Sequence, residues 1–316
     1  MTDRICYIIQ SHRNPEQIYR LVRRIRDGSV HGRIVVHHDF ANCDLDWSPL
    51  ASLSDTHLIR ATEPQVRSQF SCQMNPYLNA IEWLEREGHG YDWLVNVTAQ
   101  DYPVMPIARI ERALFESHCD GYIRYWNVMS GESPWSRRKA RKRYWYRYRR
   151  WPDGSEPLLR TLRPLTRVLP VNIHLIHFPR VGVYAFRSPF RAGFHCYGGW
   201  AWYSLRRKAV LYLREFLRTH PDVERHYRRT IAPEESLVQT VLVNSGRFDL
   251  INDDLRYIDY STPYTRAHKG SPRTLTSEDL PLLASGRYHF ARKFDLGVDR
   301  AVLDRIDCEL LGITPD

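Results

Sequence analysis

A chain of 316 residues with 43% hydrophobic residues has the apolar material for a sizeable core, in one large domain or two smaller ones. No apolar run approaches the roughly 20 residues that cross a bilayer, and the opening "MTDRICYIIQSH" enters a strand-like run without a basic leader or cleavage site, so a cytoplasmic protein with no membrane span is expected. The net charge of +10, from 46 Lys and Arg against 36 Asp and Glu, is local: residues 137–150, "RRKARKRYWYRYRR", hold nine Lys or Arg and no acid, which leaves the remainder at 37 to 36.

The first hundred residues alternate strand and helix signals. "RICYIIQS" reads as a buried strand and "NPEQIYRLVRRIRDG" as a helix capped by Asn14, with Pro15 in its first turn and Gly28 as its stop. "GRIVVHHD" and "DTHLIR" are the next strands, "SQFSCQMNPYLNAIEWLEREG" is a helical stretch broken or kinked at Pro76, and "DWLVNVTAQD" is a strand running into polar residues. This alternation predicts a largely parallel sheet with helices on its faces. Further on, "DGYIRYWNV" and "RVGVYAFRS" read as strands, "LRRKAVLYLREFLRTH" as an amphipathic helix and "SEDLPLLASG" as a short capped one. "YHFARKFD" is an edge-like strand or loop and "VDRAVLDRIDCELLG" a closing helix. Residues 1–316 are expected to form a single domain carrying a basic, aromatic-rich arm at about 136–151, with mobility centred on about 130–180.

In parallel sheets ligands bind beyond the carboxyl ends of the strands. That rule selects Ser11 and His12, then His37, His38 and Asp39, then Thr98, Gln100 and Asp101 as one rim, although each is also an ordinary residue after a strand. The six cysteines are scattered without a CxxC pair or zinc spacing, so reduced thiols are expected.

In "TIAPEESLVQTVLVNSG", residues 230–246, Glu234 and Glu235 follow Pro233 and precede a helix whose buried stripe is Leu237, Val238, Val241 and Leu242. Two readings stand side by side: acids that complement the positive helix end, or a carboxylate held for proton transfer. Neighbouring glutamates on one turn point apart and do not make the hydrolase pair that flanks a substrate across roughly 5–10 Å. The only Asp-x-Asp, Asp44 to Asp46, reads as a surface turn, and no GxSxG, Walker A, strand-borne GxGxxG or HExxH occurs. The basic stretch has three open readings: an acceptor or anionic-membrane contact, a solvated face with its aromatics packed inward, or a nucleic-acid surface. The last, with the membrane contact, supplies the rival function of a binding protein acting through 137–150.

Six blocks in order, "VHHD" at 36–39, "WLVNVTAQDYPV" at 93–104, "YGGWAWYSLRRKAV" at 197–210, "APEESLVQTVLVNS" at 232–245, "SPRTLTSEDLPLL" at 271–283 and "FARKFD" at 290–295, give the chain its resemblance to the core-2/I-branching N-acetylglucosaminyltransferase family, which also includes the peptide O-xylosyltransferases. The resemblance is to short bacterial members, without the anchor, stem and disulfides of the animal enzymes. It implies a GT-A-like α/β fold and inverting transfer of N-acetylglucosamine or xylose from a UDP-sugar to a hydroxyl of a glycan or lipid-linked glycan, with no metal or other cofactor. It also implies Glu235 as general base, Arg273 and Lys293 as the cations on the donor diphosphate, and Asp39 near the nucleotide. Asp101, Trp200, Glu234, Arg143 and Tyr144 are candidate sugar or acceptor contacts. Asp101 is equally read as support for its loop and Trp200 as core. No nucleic-acid partner is expected, and peripheral contact with the inner membrane face is.

Such a reaction needs a base on the attacking hydroxyl, typically contributing ~10²–10⁴-fold in rate, and positive charge on the leaving diphosphate. Arg offers a planar fork to phosphate oxygens and Lys a point charge.

Overall fold

The computed structural model of the protein describes residues 4–29, 31–261 and 271–313. Its first half alternates as the periodicity predicts: β1 (Ile5–Ser11), α1 (Pro15–Gly28), β2 (Arg33–His38), β3 (Thr56–Arg60), α2 (Phe70–Arg86), β4 (Trp93–Thr98), β5 (Asp101–Pro103) and α3 (Ile107–Glu116). Then come β6 (Gly121–Asn127), α4 (Arg137–Tyr144), β7 (Tyr146–Arg150), α5 (Glu156–Thr161), a 3-10 turn at Arg163–Arg167, β8 (Val171–His174) and β9 (Arg180–Tyr184). The chain continues through β10 (Tyr197–Arg206), α6 (Arg207–Thr219), α7 (Pro221–Tyr227), α8 (Leu237–Ser245), β11 (Leu250–Ile251), β12 (Arg256–Ile258), α9 (Leu280–Leu283), β13 (Phe290–Arg292) and α10 (Ala301–Arg305).

A seven-stranded sheet in the order β11-β6-β10-β4-β1-β2-β3 forms the centre. All its neighbouring pairs are parallel except the two that β10 makes, with β4 and β6. Both faces are covered, so the strands read as continuous apolar runs and successive residues serve different cores. In β1, Ile5, Tyr7 and Ile9 pack with Ile18, Leu21 and Ile25 of α1 and Ile110 of α3. Cys6 and Ile8 face the opposite way, among Tyr77 and Ile81 of α2, Leu213 of α6 and Val238 of α8. This is the α/β layout with a mostly parallel sheet and helices on both faces that the sequence predicts.

Several local expectations need correction. Asn14 precedes α1 in the left-handed region (φ 55°) but makes no side-chain cap, and the helix runs through Gly28 to end at Ser29. Helix α2 continues through Pro76. β13 is the middle strand, not an edge, of a small sheet ordered β12-β13-β5. The stretch expected to be mobile is a folded unit: β7, β9 and β8 form a third sheet, with α4 and α5 beside it. The "GG" of 197–210 serves close packing, because a Cβ on Gly199 would stand 1.9 Å from the carbonyl oxygen of Arg124 on β6. All six cysteines are free, and no described helix is long and apolar enough to cross a membrane.

Candidate active site

The segment between α7 and α8 sets the paired glutamates. Ala232 takes the left-handed backbone (φ 53°), Pro233–Glu235 form a 3-10 turn, and Ser236 (φ −153°) separates that turn from α8. Glu234 and Glu235 therefore do not occupy the first turn of α8, and the helix-capping reading loses its geometry. The turn is tied down on both sides. Ser236 Oγ donates to the Tyr197 carbonyl at 2.6 Å, and Tyr144 Oη donates to the Ala232 carbonyl at 3.2 Å. Both glutamates line a cleft of about 1110 Å³.

Glu235 Oε2 accepts a hydrogen bond from Arg143 Nη1. No hydrogen bond engages Oε1 among the described residues, so one oxygen is anchored and the other is free to meet a ligand. Arg143 is itself held over the Trp135 ring, 4.7 Å from its centroid. Glu234 is buried with Oε2 unpartnered among the described residues; burial, followed by the charge of Glu235, raises its carboxyl to about 8.

The opposite wall comes from strand ends. Gln10 of β1 with His12 and Arg13 beyond it, Thr98 of β4 with Gln100, and Arg292 of β13 with Lys293 all line the cleft. The small sheet places the last pair there: Arg292 pairs in register with Asp101 across β13 and β5. The Lys293 ammonium has no hydrogen bond or ion pair to a described residue; burial, then the charges of Arg292, Arg13 and Arg67, lower its pKa. Four crowded cations whose ion pairs among the described residues are Asp295 with Arg13, at 3.4 Å, and Asp101 with Arg292, at 3.0 Å, form a site poised for a multiply charged anion. Gln73 Oε1, Gln100 Nε2 and Trp202 Nε1 on the same lining are buried and unpartnered among the described residues. Such orphaned groups are costly unless something binds them.

Other sequence candidates lie behind this surface. Asp101 is buried, takes Arg256 at 2.6 Å and Arg292 at 3.0 Å, and accepts the Thr98 N–H at 2.6 Å, so it fastens the small sheet to the end of β4. Asp39 is also buried and outside the cleft lining; it accepts the N–H groups of Ala41 at 2.9 Å and Gln65 at 2.6 Å, and the Gln65 it holds does line the cleft. Burial works against its charge, yet those donors and Asn42 keep its pKa below the ordinary value. Arg273 is away from the lining, forked between Asp259 at 2.7 Å and Asp279 at 2.5 Å, while its neighbours Ser271 and Pro272 reach the cleft. Trp200 stacks on Tyr260 with centroids 4.9 Å apart; Tyr260 and Trp202, not Trp200, face the cleft. Asp46 caps the N–H of Ser48 at 2.9 Å, as a surface turn does. Among the described residues no three His, Cys, Asp or Glu gather to hold a metal.

The basic stretch is built into the site. Tyr144 and Tyr148 are buried, which fits aromatics packed inward, whereas Arg138, Lys139, Lys142 and Arg143 line the cleft. Among the described residues, ten Lys and Arg border the cleft against two carboxylates, Glu234 and Glu235. Sequence reasoning missed Arg13, Arg67, Arg160 and Arg163. Arg13 was within reach, one residue past the selected His12; Arg67 was not, since it is placed by Arg180, whose guanidinium holds the Arg67 and Ser68 carbonyls at 3.1 and 3.0 Å from a distant strand.

A mostly parallel α/β sheet thus carries a polar, cation-walled cleft beyond its strand ends, with a carboxylate set into that cleft. The family model described as Core-2/I-Branching enzyme matches residues 34–284, and the chain belongs to that family of glycosyltransferases. It is similar to two Arabidopsis thaliana proteins, Beta-glucuronosyltransferase GlcAT14A, at 27% identity over 75% of this chain and 47% of that protein, and Beta-glucuronosyltransferase GlcAT14B, at 25% identity over 74% and 47%. The chain spans about half the length of these curated relatives. Among solved structures it is similar to a nucleoside-diphosphate-sugar pyrophosphorylase from Vibrio cholerae RC9, at 11% identity and TM-score 0.35 over 77% of this chain and 89% of that one.

Proposed function

We propose that the protein transfers a sugar from a UDP-sugar to a hydroxyl of a glycan acceptor with inversion at the anomeric carbon. The observation that carries this reading is the joint lining of one cleft by the half-anchored Glu235 carboxylate and the Lys293, Arg292, Arg13 and Arg67 group. Glu235 takes the acceptor proton as the hydroxyl oxygen bonds to the anomeric carbon. The bond from that carbon to the diphosphate oxygen breaks on the opposite face, and the cation group stabilises the departing UDP. Arg143 orients the base, Asp39 acts through Gln65, and Arg273 braces the corner next to Ser271, so the clamp rests on Lys293 and its neighbours. With fixed cations in that role, neither metal nor cofactor is assigned a step.

The cleft's charge favours an acidic sugar. Ten basic groups against two carboxylates exceed what one diphosphate uses, and the plant relatives are named as glucuronosyltransferases; glucuronate is thus preferred here over N-acetylglucosamine or xylose. Calorimetric titration of UDP in the presence of EDTA tests the donor site, and competition among UDP-glucuronate, UDP-N-acetylglucosamine and UDP-xylose tests the sugar. Glu235→Gln is expected to abolish turnover and leave UDP affinity intact; equal loss of both would remove Glu235 as base. Absence of UDP binding under EDTA, restored by Mn²⁺, would refute the cation clamp.

A further inference from the structure

The basic excess extends beyond the cleft. Residues 137–191 hold 15 Lys or Arg and two carboxylates, Asp153 and Glu156, leaving 31 basic against 34 acidic residues in the rest of the chain. The entire positive balance of the protein therefore sits on one folded unit, α4 through β9. On the same unit a run of aliphatic side chains stands in solvent: Leu158 at 54% exposure, Leu165 at 44%, Val168 at 80% and Leu169 at 49%. They alternate with Arg160, Arg163 and Arg167, all exposed, along α5 and the 3-10 turn after it. Arg160 and Arg163 also line the cleft, so the ridge adjoins its mouth.

We propose that this ridge, Leu158 to Leu169 with its interleaved arginines, docks the protein on an anionic lipid bilayer with the cleft mouth beside the surface. Aliphatic tips suit the boundary between headgroups and acyl chains, and guanidinium groups suit lipid phosphates; apolar area and charge together set the strength of such peripheral binding. Charge complementarity selects an anionic bilayer over a neutral one. The chemistry of the ridge selects lipid over nucleic acid, because base stacking needs exposed rings, whereas the exposed large apolar side chains between Leu158 and Leu169 are Leu and Val, and Tyr144 and Tyr148 of the basic stretch are buried. Docking stands independently of the proposed transfer reaction. Combined with it, docking presents a lipid-linked acceptor to Glu235 from the membrane side.

Cosedimentation of the full chain with vesicles tests the idea, using phosphatidylcholine alone and phosphatidylcholine mixed with phosphatidylglycerol. Binding is expected only to the mixed vesicles. Arg167→Glu is expected to weaken it about fivefold or more, the effect of roughly 1 kcal/mol per surface cation, and Val168→Asp combined with Leu169→Asp about tenfold or more. None of these side chains lines the cleft, so UDP affinity of the variants, measured by calorimetry, is expected to match the parent. That control separates failure of docking from failure of the nucleotide site. Absence of binding to mixed vesicles, equal binding to neutral ones, or full retention by the Val168/Leu169 variant overturns the proposal. So does a self-associated form in sedimentation velocity that the same variant dissolves, because the ridge would then be an interface between copies, or preferential binding of single-stranded RNA at the ridge.

Discussion

Replacing Glu234 with Gln isolates the most perturbed carboxyl of the cleft while keeping its shape. Burial, and then the charge of Glu235, carries this group from 4.5 to about 8. The sign follows from linkage: with its folded-state pKa raised, the group contributes its full stability below about pH 4.5, and that contribution is lost as pH rises through about 8. The span, at about 1.4 kcal/mol per pH unit, amounts to on the order of 5 kcal/mol between the two limits. Glutamine does not ionise, so Glu234→Gln should gain on the parent by several kcal/mol between about pH 5 and pH 9. Urea unfolding followed by tryptophan fluorescence across that range measures the difference directly. A difference between the two proteins that stays constant with pH would refute the reasoning, because it would mean that Glu234 is solvated or paired. A second arm tests the cause: Glu235→Gln removes the neighbouring charge and should move the parent's transition to lower pH.

Lys293→Ala should weaken UDP binding about tenfold or more, since an ammonium without an ion-pair partner among the described residues is available to the ligand; unchanged calorimetric affinity would take Lys293 out of the clamp. Arg273→Ala should instead leave UDP affinity close to the parent and lower stability by about 1–2 kcal/mol, because Asp259 and Asp279 lose a shared, half-exposed partner. Gly199→Ala should destabilise by about 1–3 kcal/mol or prevent folding, as the added methyl meets the Arg124 carbonyl; a thermal melt unchanged from the parent would contradict that contact.

Most of the scaffold was legible because burial on two faces leaves long apolar runs, and β1, β2 and β4 announce themselves that way. The rim rule also held where strand ends are open: His12, Thr98 and Gln100 do reach the cleft. It failed at His37, His38 and Asp39, which follow a strand equally well but are covered. A one-dimensional pattern does not say which strand ends the later chain will cap. The second half was harder for the same reason. "YHFARKFD" looked marginal because a three-residue strand has no room for periodicity, yet β13 is flanked on both sides and delivers Lys293. Arg143 and Glu235 lie 92 positions apart in sequence, and nothing local to either predicts their bond. Trp200 and Trp202 are two residues apart on one strand, and a register shift between Gly199 and Tyr203 lies across them.

Arg143 has a consequence for how such enzymes change hands between substrates. The helix that presents Arg138, Lys139 and Lys142 to the cleft also supplies the guanidinium bonded to Glu235, the base of the proposed reaction. An exchange of the whole 137–191 unit, whether by recombination or by design, therefore replaces one wall of the cleft and the bonded partner of Glu235 in a single step. A transplanted wall would work only if it brings its own cation to the same point beside Glu235.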